Sequence, residues 1–223
     1  MSNGSLIHFE NPLFAAEDGL VAVGGELSST NLIRAYRLGI FPWPINERLI
    51  PWVSPDPRAV LNFDELHIPR RLERFQRQCT WTFTIDQAFP AVIRHCASVK
   101  RQHESGTWII PAIIASYSKL HHEGHAHSVE VWDGDELIGG LYGVDAGGAF
   151  GGESMFALKS NASKLAILHL VQHLRARGLE WMDIQVMTPH MESFGAREIS
   201  RVEFLERLAH EQRQNRELFS FSV

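Results

Sequence analysis

The sequence predicts an α+β protein, with a small N-terminal domain over residues 1–58 and a larger mixed-sheet domain over residues 59–223. Three observations lead to this prediction. The segment GIFPWPINERLIPWVSPDPR holds five prolines in twenty residues and separates two regions of different character. After it, apolar residues alternate between a period of two and a period of 3.6. The chain of 223 residues, 44% of them hydrophobic, is long enough for one large domain with a smaller companion.

Composition excludes several classes of protein. The net charge of −5 argues against a protein that coats nucleic acid non-specifically, since such proteins rely on a broad basic face. No window approaches the roughly 20 consecutive apolar residues of a membrane span, and the first residues lack the pattern of a signal peptide. Cys79 and Cys96 fit no metal or redox spacing. We therefore expect a cytoplasmic protein without membrane contact and with reduced cysteines.

The N-terminal domain is predicted to hold one helix. Ser28 or Ser29 can cap a helix that runs through Tyr36 and that Gly39 ends. The chain before it is loop-like. The proline-rich segment after it, residues 39–58, cannot be a regular helix or a central strand, so we predict an ordered, aromatic-rich loop.

The first half of the larger domain alternates strands and helices. AVLNF and TWTFTI are predicted strands, with an arginine-rich helix from Pro69 between them. Asp86 is predicted to cap the next helix through its side chain. Pro111 suits the first position of a further helix, which Gly124 ends.

The second half begins with a meander. SVEVW and ELIGGLYGV are joined by Asp133-Gly134-Asp135, a strong hairpin signal. A third strand is predicted to end at the opening of GGESMF, residues 151–156. Glu153 would then lie at a strand end.

The chain closes with two helices and a strand. Ser160 or Asn161 is predicted to cap a helix that Gly178 closes, MDIQV is a predicted strand, and Ser200 with Glu203 forms a capping box for the last helix. A meander that feeds a helix and then another strand resembles the fold of the GCN5-related N-acyltransferases (GNAT). Such a likeness bears on the fold and not on the function.

One helix carries an excess of positive charge. HIPRRLERFQRQ holds Arg70, Arg71, Arg74 and Arg77 against Glu73, a local charge of +3 over three helical turns. A solvated helix face is one interpretation. A patch that contacts phosphates is the other.

Three familiar site patterns are incomplete. His122-Glu123-Gly124-His125 is one residue short of the His-Glu-x-x-His zinc motif, and its glycine breaks the helix, so no metal site is predicted. Ser154 is not in a nucleophile elbow, because Phe156 stands where the second glycine is needed. FALKSNASK has no glycine to cradle the pyrophosphate of coenzyme A.

Polar residues on core-like strands are the remaining candidates. Asp183 and Gln185 alternate in MDIQV, so both should point to one face, and Glu153 lies beside apolar residues. Two carboxylates and an amide that converge on a pocket could bind a cation and position an amine. A satisfied buried polar network is the alternative, and the pattern leaves both open.

Ten short motifs between Asn11 and Leu208 occur in a fixed order: GLVAVGGELS, YRLGIFPWP, WVSPDPRAVL, GTWI, GHAHSVEVW, LIGGLYGV, GGESMF, NASK, DIQ and SFGAREISR. In these motifs the chain resembles the leucyl/phenylalanyl-tRNA protein transferases. The resemblance implies that Leu or Phe, with Met as a further candidate, moves from tRNA to the α-amine of a protein beginning with Arg or Lys. That transfer marks the protein for bacterial N-degron proteolysis. We also expect a monomer with no metal or organic cofactor.

The resemblance implies roles for individual residues. Glu153 lies in the transfer site, where it can meet the cationic acceptor, its amine or the aminoacyl end. Asp183 orients the amide of Gln185, whose oxygen draws the acceptor amine towards the ester. The matching positions for the aminoacyl pocket are Leu141, Phe150, Ile167 and Leu170. Trp43 and Trp108 are available to stack on the terminal adenosine. The residues that would contact tRNA are Arg70, Arg71, Arg74 and Arg77.

Two other functions stay open on the sequence. A GNAT-like acyltransferase that uses coenzyme A is opposed by the missing glycine turn. A catalytically silent tRNA-binding module would explain the arginines and tryptophans, but it leaves Glu153, Asp183 and Gln185 without a purpose.

Overall fold

In a computed structural model, residues 5–99 and 107–220 are described, and the chain forms two β-sheets surrounded by α-helices; Gly106 of the GTWI motif lies outside these ranges. The strands are β1 (Leu20–Val23), β2 (Phe41–Pro42), β3 (Pro51–Val53), β4 (Arg58–Asn62), β5 (Thr82–Ile85), β6 (Ala126–Asp133), β7 (Glu136–Asp145), β8 (Phe150–Ala157), β9 (Trp181–Gln185) and β10 (Arg197–Ile199). The helices are α1 (Ser29–Arg37), α2 (Arg70–Gln78), α3 (Phe89–Ser98), α4 (Pro111–His122), α5 (Ala162–Arg175), α6 (Pro189–Glu192) and α7 (Arg201–Gln214). The predicted α+β class, a small N-terminal unit before a mixed sheet, is confirmed.

The N-terminal part contains a small antiparallel sheet in the order β1-β3-β2, and helix α1. The predicted cap of α1 is confirmed, since the side chain of Ser28 accepts a hydrogen bond from the Asn31 amide. Gly39 follows the helix at φ +76°, a conformation that favours glycine.

The prediction that the proline-rich segment excludes a central strand is wrong, because β3 lies between β1 and β2. Pro51 occupies the first position of β3, where its carbonyl oxygen accepts a hydrogen bond from the Trp43 amide at 2.8 Å. Pro42 lies in the edge strand β2. Proline is tolerated at strand starts and edges, so short strands fit between the prolines.

The larger sheet has seven strands in the order β10-β4-β9-β8-β7-β6-β5. Its strands pair antiparallel except β8 and β9, which are parallel. Hydrophobic clusters cover both faces: one packs α1, α3, α4 and α7 on the sheet, and the other packs α2, α5 and α6. Leu141 and Tyr142, consecutive in β7, belong to different clusters, as strand alternation requires.

The N-terminal part and the larger sheet share one hydrophobic core. Leu32 and Tyr36 of α1 lie in the same cluster as Phe89 of α3 and Tyr142 of β7. A division of the chain at residue 58 therefore stays a prediction. Within residues 5–99 and 107–220, no helix is long and apolar enough to span a bilayer.

The predicted side-chain cap at Asp86 is wrong. Helix α3 starts after Ala88 without a side-chain cap, and the amides of Gln87 and Ala88 donate to the buried Glu130 carboxylate at 3.4 and 3.3 Å. Asp86 instead accepts from the Ser128 amide at 2.8 Å. The buried carboxylate of a neighbouring strand thus replaces the local cap.

The second half of the chain follows its turn residues closely. Asp133 pairs with Glu136 across the predicted hairpin, and Ser200 accepts from the Glu203 amide. Asn161 is the N-cap residue of α5, as predicted, but it lies in the left-handed region at φ +73° and the expected side-chain cap bond is missing. The short elements α6 and β10 were not expected from the sequence.

Candidate active site

A cleft opens where the two parallel strands separate. The ladder between β8 and β9 consists of one register pair, Gly151 with Asp183. Residues 152–157 and 184–188, which follow that pair along the chain, line a cleft of about 660 Å³. The one parallel step in the sheet therefore creates the opening that a ligand needs.

Glu153 is placed by a β-bulge. In the ladder of β7 and β8, Ser154 pairs with Tyr142 and Gly152 pairs with Gly143, so the register skips Glu153. The expectation that Glu153 ends a strand is wrong, since β8 continues to Ala157. A bulge turns a side chain away from the regular alternation, and here it turns Glu153 to the cleft wall.

Gly143 of β7, which lies opposite the bulge, has no room for a side chain. A Cβ on Gly143 would lie 2.3 Å from the carbonyl oxygen of Gly151 and 2.4 Å from the ring of Phe150. Real side chains do not approach that closely. The glycines of LIGGLYGV and GGESMF thus allow the two strands to meet around Glu153.

Neutral donors surround the carboxylate of Glu153. The side-chain amide of Gln185 donates to Oε1 at 2.5 Å, and the hydroxyl of Tyr36 lies within hydrogen-bonding reach. Burial raises the pKa of Glu153 to about 7, and the charge of Asp183 adds to the rise; the bonds to Tyr36 and Gln185 and the charge of Arg58 oppose it. Both protonation states of Glu153 are therefore populated near neutral pH.

Asp183 has a different environment, dominated by Arg58. The guanidinium donates through Nε to Oδ1 at 2.8 Å and through a terminal nitrogen to Oδ2 at 2.7 Å. Arg58 is only 1% exposed, and its guanidinium carbon lies 4.8 Å and 4.3 Å from the ring centres of Phe41 and Phe204. This two-point ion pair is sealed below the cleft, and Asp183 does not line it.

Arg58 is a residue that sequence reasoning missed. It begins β4, all five residues of which are buried. A positive charge next to the apolar run AVLNF was the available signal, because a buried arginine requires a carboxylate partner.

Gln185 ends β9 in an uncommon backbone conformation. Its φ is +65°, a region that residues other than glycine rarely adopt. Oδ1 of Asp183 accepts from the Gln185 amide at 2.8 Å and so holds this turn. Asp183 thus orients the backbone of Gln185, whereas Glu153 orients its side chain.

The predicted apolar and aromatic positions separate into two groups. Leu141, Ile167 and Leu170 line the cleft, together with Trp43 and Trp108. Phe150 does not line it: its ring is buried and packs 5.5 Å from that of Phe219.

The arginines of α2 lie away from the cleft. Arg70, Arg71, Arg74 and Arg77 are exposed, and none of them lines the cleft. Arg77 approaches Glu73 at 3.5 Å in an exposed i, i+4 pair. Such a pair contributes little to stability, so most of the positive charge is available to an outside partner.

Two residues of the histidine-rich segment, His121 and His127, are bonded within the protein. His121 Nδ1 lies 2.8 Å from the Ala126 carbonyl oxygen, and His127 Nδ1 lies 2.7 Å from Oδ2 of Asp86. Among the residues described, no group of three His, Cys, Asp or Glu side chains could hold a metal ion.

Two tyrosines that the sequence indicated only as core residues reach this site. Tyr36 of α1 and Tyr117 of α4 form a hydrogen bond through their hydroxyls, beside Glu153. Both tyrosines lie in helices that the sequence predicted, but helical periodicity marks only where a side chain leaves its own helix. It gave no signal for the destination of their hydroxyls.

Comparisons with known proteins agree on one family. Residues 60–209 match the family model "Leucyl/phenylalanyl-tRNA protein transferase", and residues 25–56 match the model of its N-terminal domain. A leucyl/phenylalanyl-tRNA–protein transferase of Anaeromyxobacter dehalogenans is 52% identical over 90% of this chain and 86% of its own length. One from Syntrophobacter fumaroxidans is 52% identical over 89% of this chain and 85% of its own length.

A likeness among solved structures is more distant. The structure of L-PGS from Bacillus licheniformis has a TM-score of 0.42 and 14% identity, and covers 67% of this chain and 48% of that chain. Such values carry no information about function. From the family models and relatives, the chain belongs to the leucyl/phenylalanyl-tRNA–protein transferases, a family of aminoacyltransferase enzymes.

Proposed function

We propose that this enzyme moves Leu or Phe, with Met as a further candidate, from aminoacyl-tRNA to the N-terminal α-amine of proteins that begin with Arg or Lys. The product would then be a substrate for N-degron proteolysis. One observation carries the proposal: a single cleft joins an apolar wall to the paired side chains of Glu153 and Gln185.

The apolar wall suits the aminoacyl side chain. Leu141, Ile167 and Leu170 offer hydrocarbon surface, and burial of each methylene of a ligand contributes about 0.8 kcal/mol. Polar or charged aminoacyl groups would lose their hydration without gaining partners. Trp43 and Trp108 also line the cleft, where their rings could stack on the terminal adenosine of tRNA.

The polar corner suits a cationic acceptor. Glu153 is the one acidic residue among the described residues that line the cleft. Asp183 lies below the cleft, and its charge is paired with Arg58. The amide nitrogen of Gln185 donates to Glu153, so its oxygen, at the other end of the amide, can accept from an ammonium. An α-ammonium next to an Arg or Lys side chain would be attracted to this corner.

The reaction needs positioning more than a strong base. The amine nitrogen forms a bond to the ester carbonyl carbon, the carbon–oxygen bond to the terminal ribose breaks, and the ribose hydroxyl is released. Gln185 is a neutral amide and a very weak base, so its contribution is to align the nitrogen with the ester. The neighbouring hydroxyl of the ribose can pass the proton of the attacking nitrogen to the leaving oxygen.

Helix α2 is the proposed contact for the body of the tRNA. Its four arginines are exposed on a helix of nine residues, and they lie outside the cleft that would hold the aminoacyl end. Cations of this kind bind phosphates without reading sequence. A monomeric state and a cytoplasmic location remain predictions from the sequence.

The test is transfer of labelled leucine or phenylalanine from charged tRNA to a peptide with an N-terminal Arg. The same peptide with an acetylated N-terminus is the control, because its nitrogen cannot attack. Transfer to the free peptide alone is expected. Transfer from acyl-coenzyme A instead would indicate a coenzyme A-dependent enzyme, and tRNA binding without any transfer would indicate a silent binding module.

A further inference from the structure

We infer that Tyr36 and Tyr117 are positioning residues, whose coupled hydroxyls hold the Glu153 carboxylate at the cleft so that it takes the first proton from the acceptor ammonium. This inference rests on the proposed function. It assigns a purpose to two buried hydroxyls that neither the apolar pocket nor the tRNA contact uses.

The geometry brings two distant parts of the chain to one carboxylate. Tyr36 comes from α1 and Tyr117 from α4, 81 residues later. Their rings meet edge to face, with centres 6.4 Å apart, and their hydroxyls hydrogen-bond to each other. Both hydroxyls lie close enough to Glu153 to interact electrostatically with its carboxylate. Tyr36 can donate to Glu153 while it accepts from Tyr117.

Packing alone does not require these hydroxyls. Both tyrosines lie in the hydrophobic core, where Phe would fill nearly the same volume without a polar group to desolvate. A buried hydroxyl is tolerated because it has a partner, and here the partners are one another and Glu153. The pair therefore acts on the carboxylate, and the core tolerates its polarity for that reason.

The charges around Glu153 come from several elements. Arg58 on β4 and Asp183 on β9 face it, along with the titratable hydroxyls of Tyr36 and Tyr117. Burial, followed by the charge of Glu153, raises the pKa of both hydroxyls well above the ordinary value, so both remain protonated donors. The bond to Tyr36 favours the charged form of Glu153 and opposes the rise that burial causes.

The proton balance of the transfer includes a step that such a group can perform. An acceptor R–NH3⁺ must lose one proton before its nitrogen can attack, and the Glu153 carboxylate takes it and becomes a carboxylic acid. The nitrogen then bonds to the ester carbon, the carbon–oxygen bond breaks, and the second proton leaves with the ribose oxygen. Glu153 returns its proton to water. A glutamate at the reference pKa of 4.5, against about 7 for Glu153, would take the first proton roughly 300 times less readily.

The first experiment is a pH profile of kcat/KM for transfer to an Arg-starting peptide, between pH 5.5 and 9.5. Tyr36→Phe removes a donor to the charged carboxylate, so the acid limb should move about half a unit to one unit towards higher pH. Tyr117→Phe should move it less and in the same direction. The acceptor amine also titrates in this range, but identically for every variant.

The matched control is Leu32→Val. Leu32 is a buried apolar residue one turn before Tyr36 in α1. It should lower stability without moving the limb. A tyrosine with a purely structural role would behave like Leu32, with a lower plateau and an unmoved limb, and that result would overturn the inference.

A second measurement does not depend on transfer. In protein with 13C-labelled Glu carboxyls, the Glu153 resonance is the one that disappears in Glu153→Gln. Its NMR titration midpoint should rise in Tyr36→Phe. An equal midpoint in folded wild type and both tyrosine variants would overturn the inference even if transfer is normal. Absence of transfer by the wild type would instead reject the proposed function.

Discussion

Two carboxylates on neighbouring strands have opposite surroundings: Glu153 lines the cleft, and Asp183 is buried below it. Asp183 receives two hydrogen bonds from a buried guanidinium and one from a backbone amide. Glu153 meets a neutral amide and a neutral hydroxyl, and it faces the cleft. The charge of Asp183 is compensated within the chain and supports the structure. The carboxylate of Glu153 is held by neutral groups beside an opening, where it can interact with a cation from outside.

The strongest test of this contrast is Asp183→Asn. The substitution removes the charge that compensates Arg58 and leaves a buried guanidinium without an anion, so the free energy of unfolding should fall by about 3–5 kcal/mol. Urea unfolding at pH 7 measures it. The control is Glu73→Gln, which breaks the exposed pair with Arg77 and should change stability by less than about 0.5 kcal/mol. Equal effects of both variants would contradict the structural role of Asp183.

Glu153→Gln should change stability in the opposite direction, and only above acidic pH. The pKa of Glu153 is about 7 in the folded protein against 4.5 as the reference value. The wild type therefore loses stability as the pH rises from about 4.5 to 7, because the unfolded chain ionises first. At pH 8 the variant should be more stable by up to about 3 kcal/mol, at about 1.4 kcal/mol per pKa unit.

The control for Glu153→Gln is the same pair of proteins at pH 4, where both forms are uncharged and stability should be equal. Urea unfolding at pH 4, 6 and 8 provides the measurement. Transfer to an Arg-starting peptide should fall at least tenfold, about 1.4 kcal/mol, in the more stable variant. A variant that is less stable at pH 8 would show that the Glu153 carboxylate is compensated in the folded chain as Asp183 is.

The sequence was informative wherever the determining residues are local. Ser28, Pro111, Gly134 and Ser200 each fix a helix start or a turn through their own neighbours, and these elements are confirmed. The contrast between the carboxylates could not be predicted. It depends on the pairing of Arg58 with Asp183, 125 residues away, which no periodicity records.

Other errors share that physical cause. The bulge at Glu153 arises from the register between two strands, and register is a property of the pair. Asp86 was expected to act locally, but Glu130 on β6 takes the amides at the start of α3 instead. The motifs still indicated Glu153, Asp183 and Gln185 together, because family resemblance carries long-range information that composition and spacing do not.

The apolar wall of the cleft extends the comparison to uncharged residues. Leu170 lines the cleft and Phe150 is buried away from it. Leu170→Ala enlarges the pocket. The ratio of kcat/KM for phenylalanyl-tRNA to that for leucyl-tRNA should therefore change by a factor that corresponds to about 1–3 kcal/mol. Phe150→Ala should lower stability and leave the ratio unchanged. The ratio is the suitable measurement because it does not depend on the fraction of folded enzyme, and a shift of equal size in Phe150→Ala would place its ring at the aminoacyl site.

The smallest expected effect concerns charges that only solvent compensates. Arg70 and Arg74 are exposed on α2, unlike Arg58, which the chain pairs internally. If two phosphate contacts are lost in Arg70→Ala with Arg74→Ala, the slope of log K against log salt for tRNA binding should flatten by about 1.4–1.8. The free energy of unfolding should barely change, because no buried group loses its partner when an exposed arginine is removed.

A charge-matched control separates a specific surface from net charge. Arg94 on α3 and Arg213 on α7 are also exposed, and Arg94→Ala with Arg213→Ala removes the same two charges from other helices. Filter binding of charged tRNA from 50 to 200 mM salt should show the flattened slope for the α2 variant alone. The same flattening in both variants would mean that tRNA responds to total charge. An unchanged slope in the α2 variant would make α2 a solvated face without a role in tRNA binding.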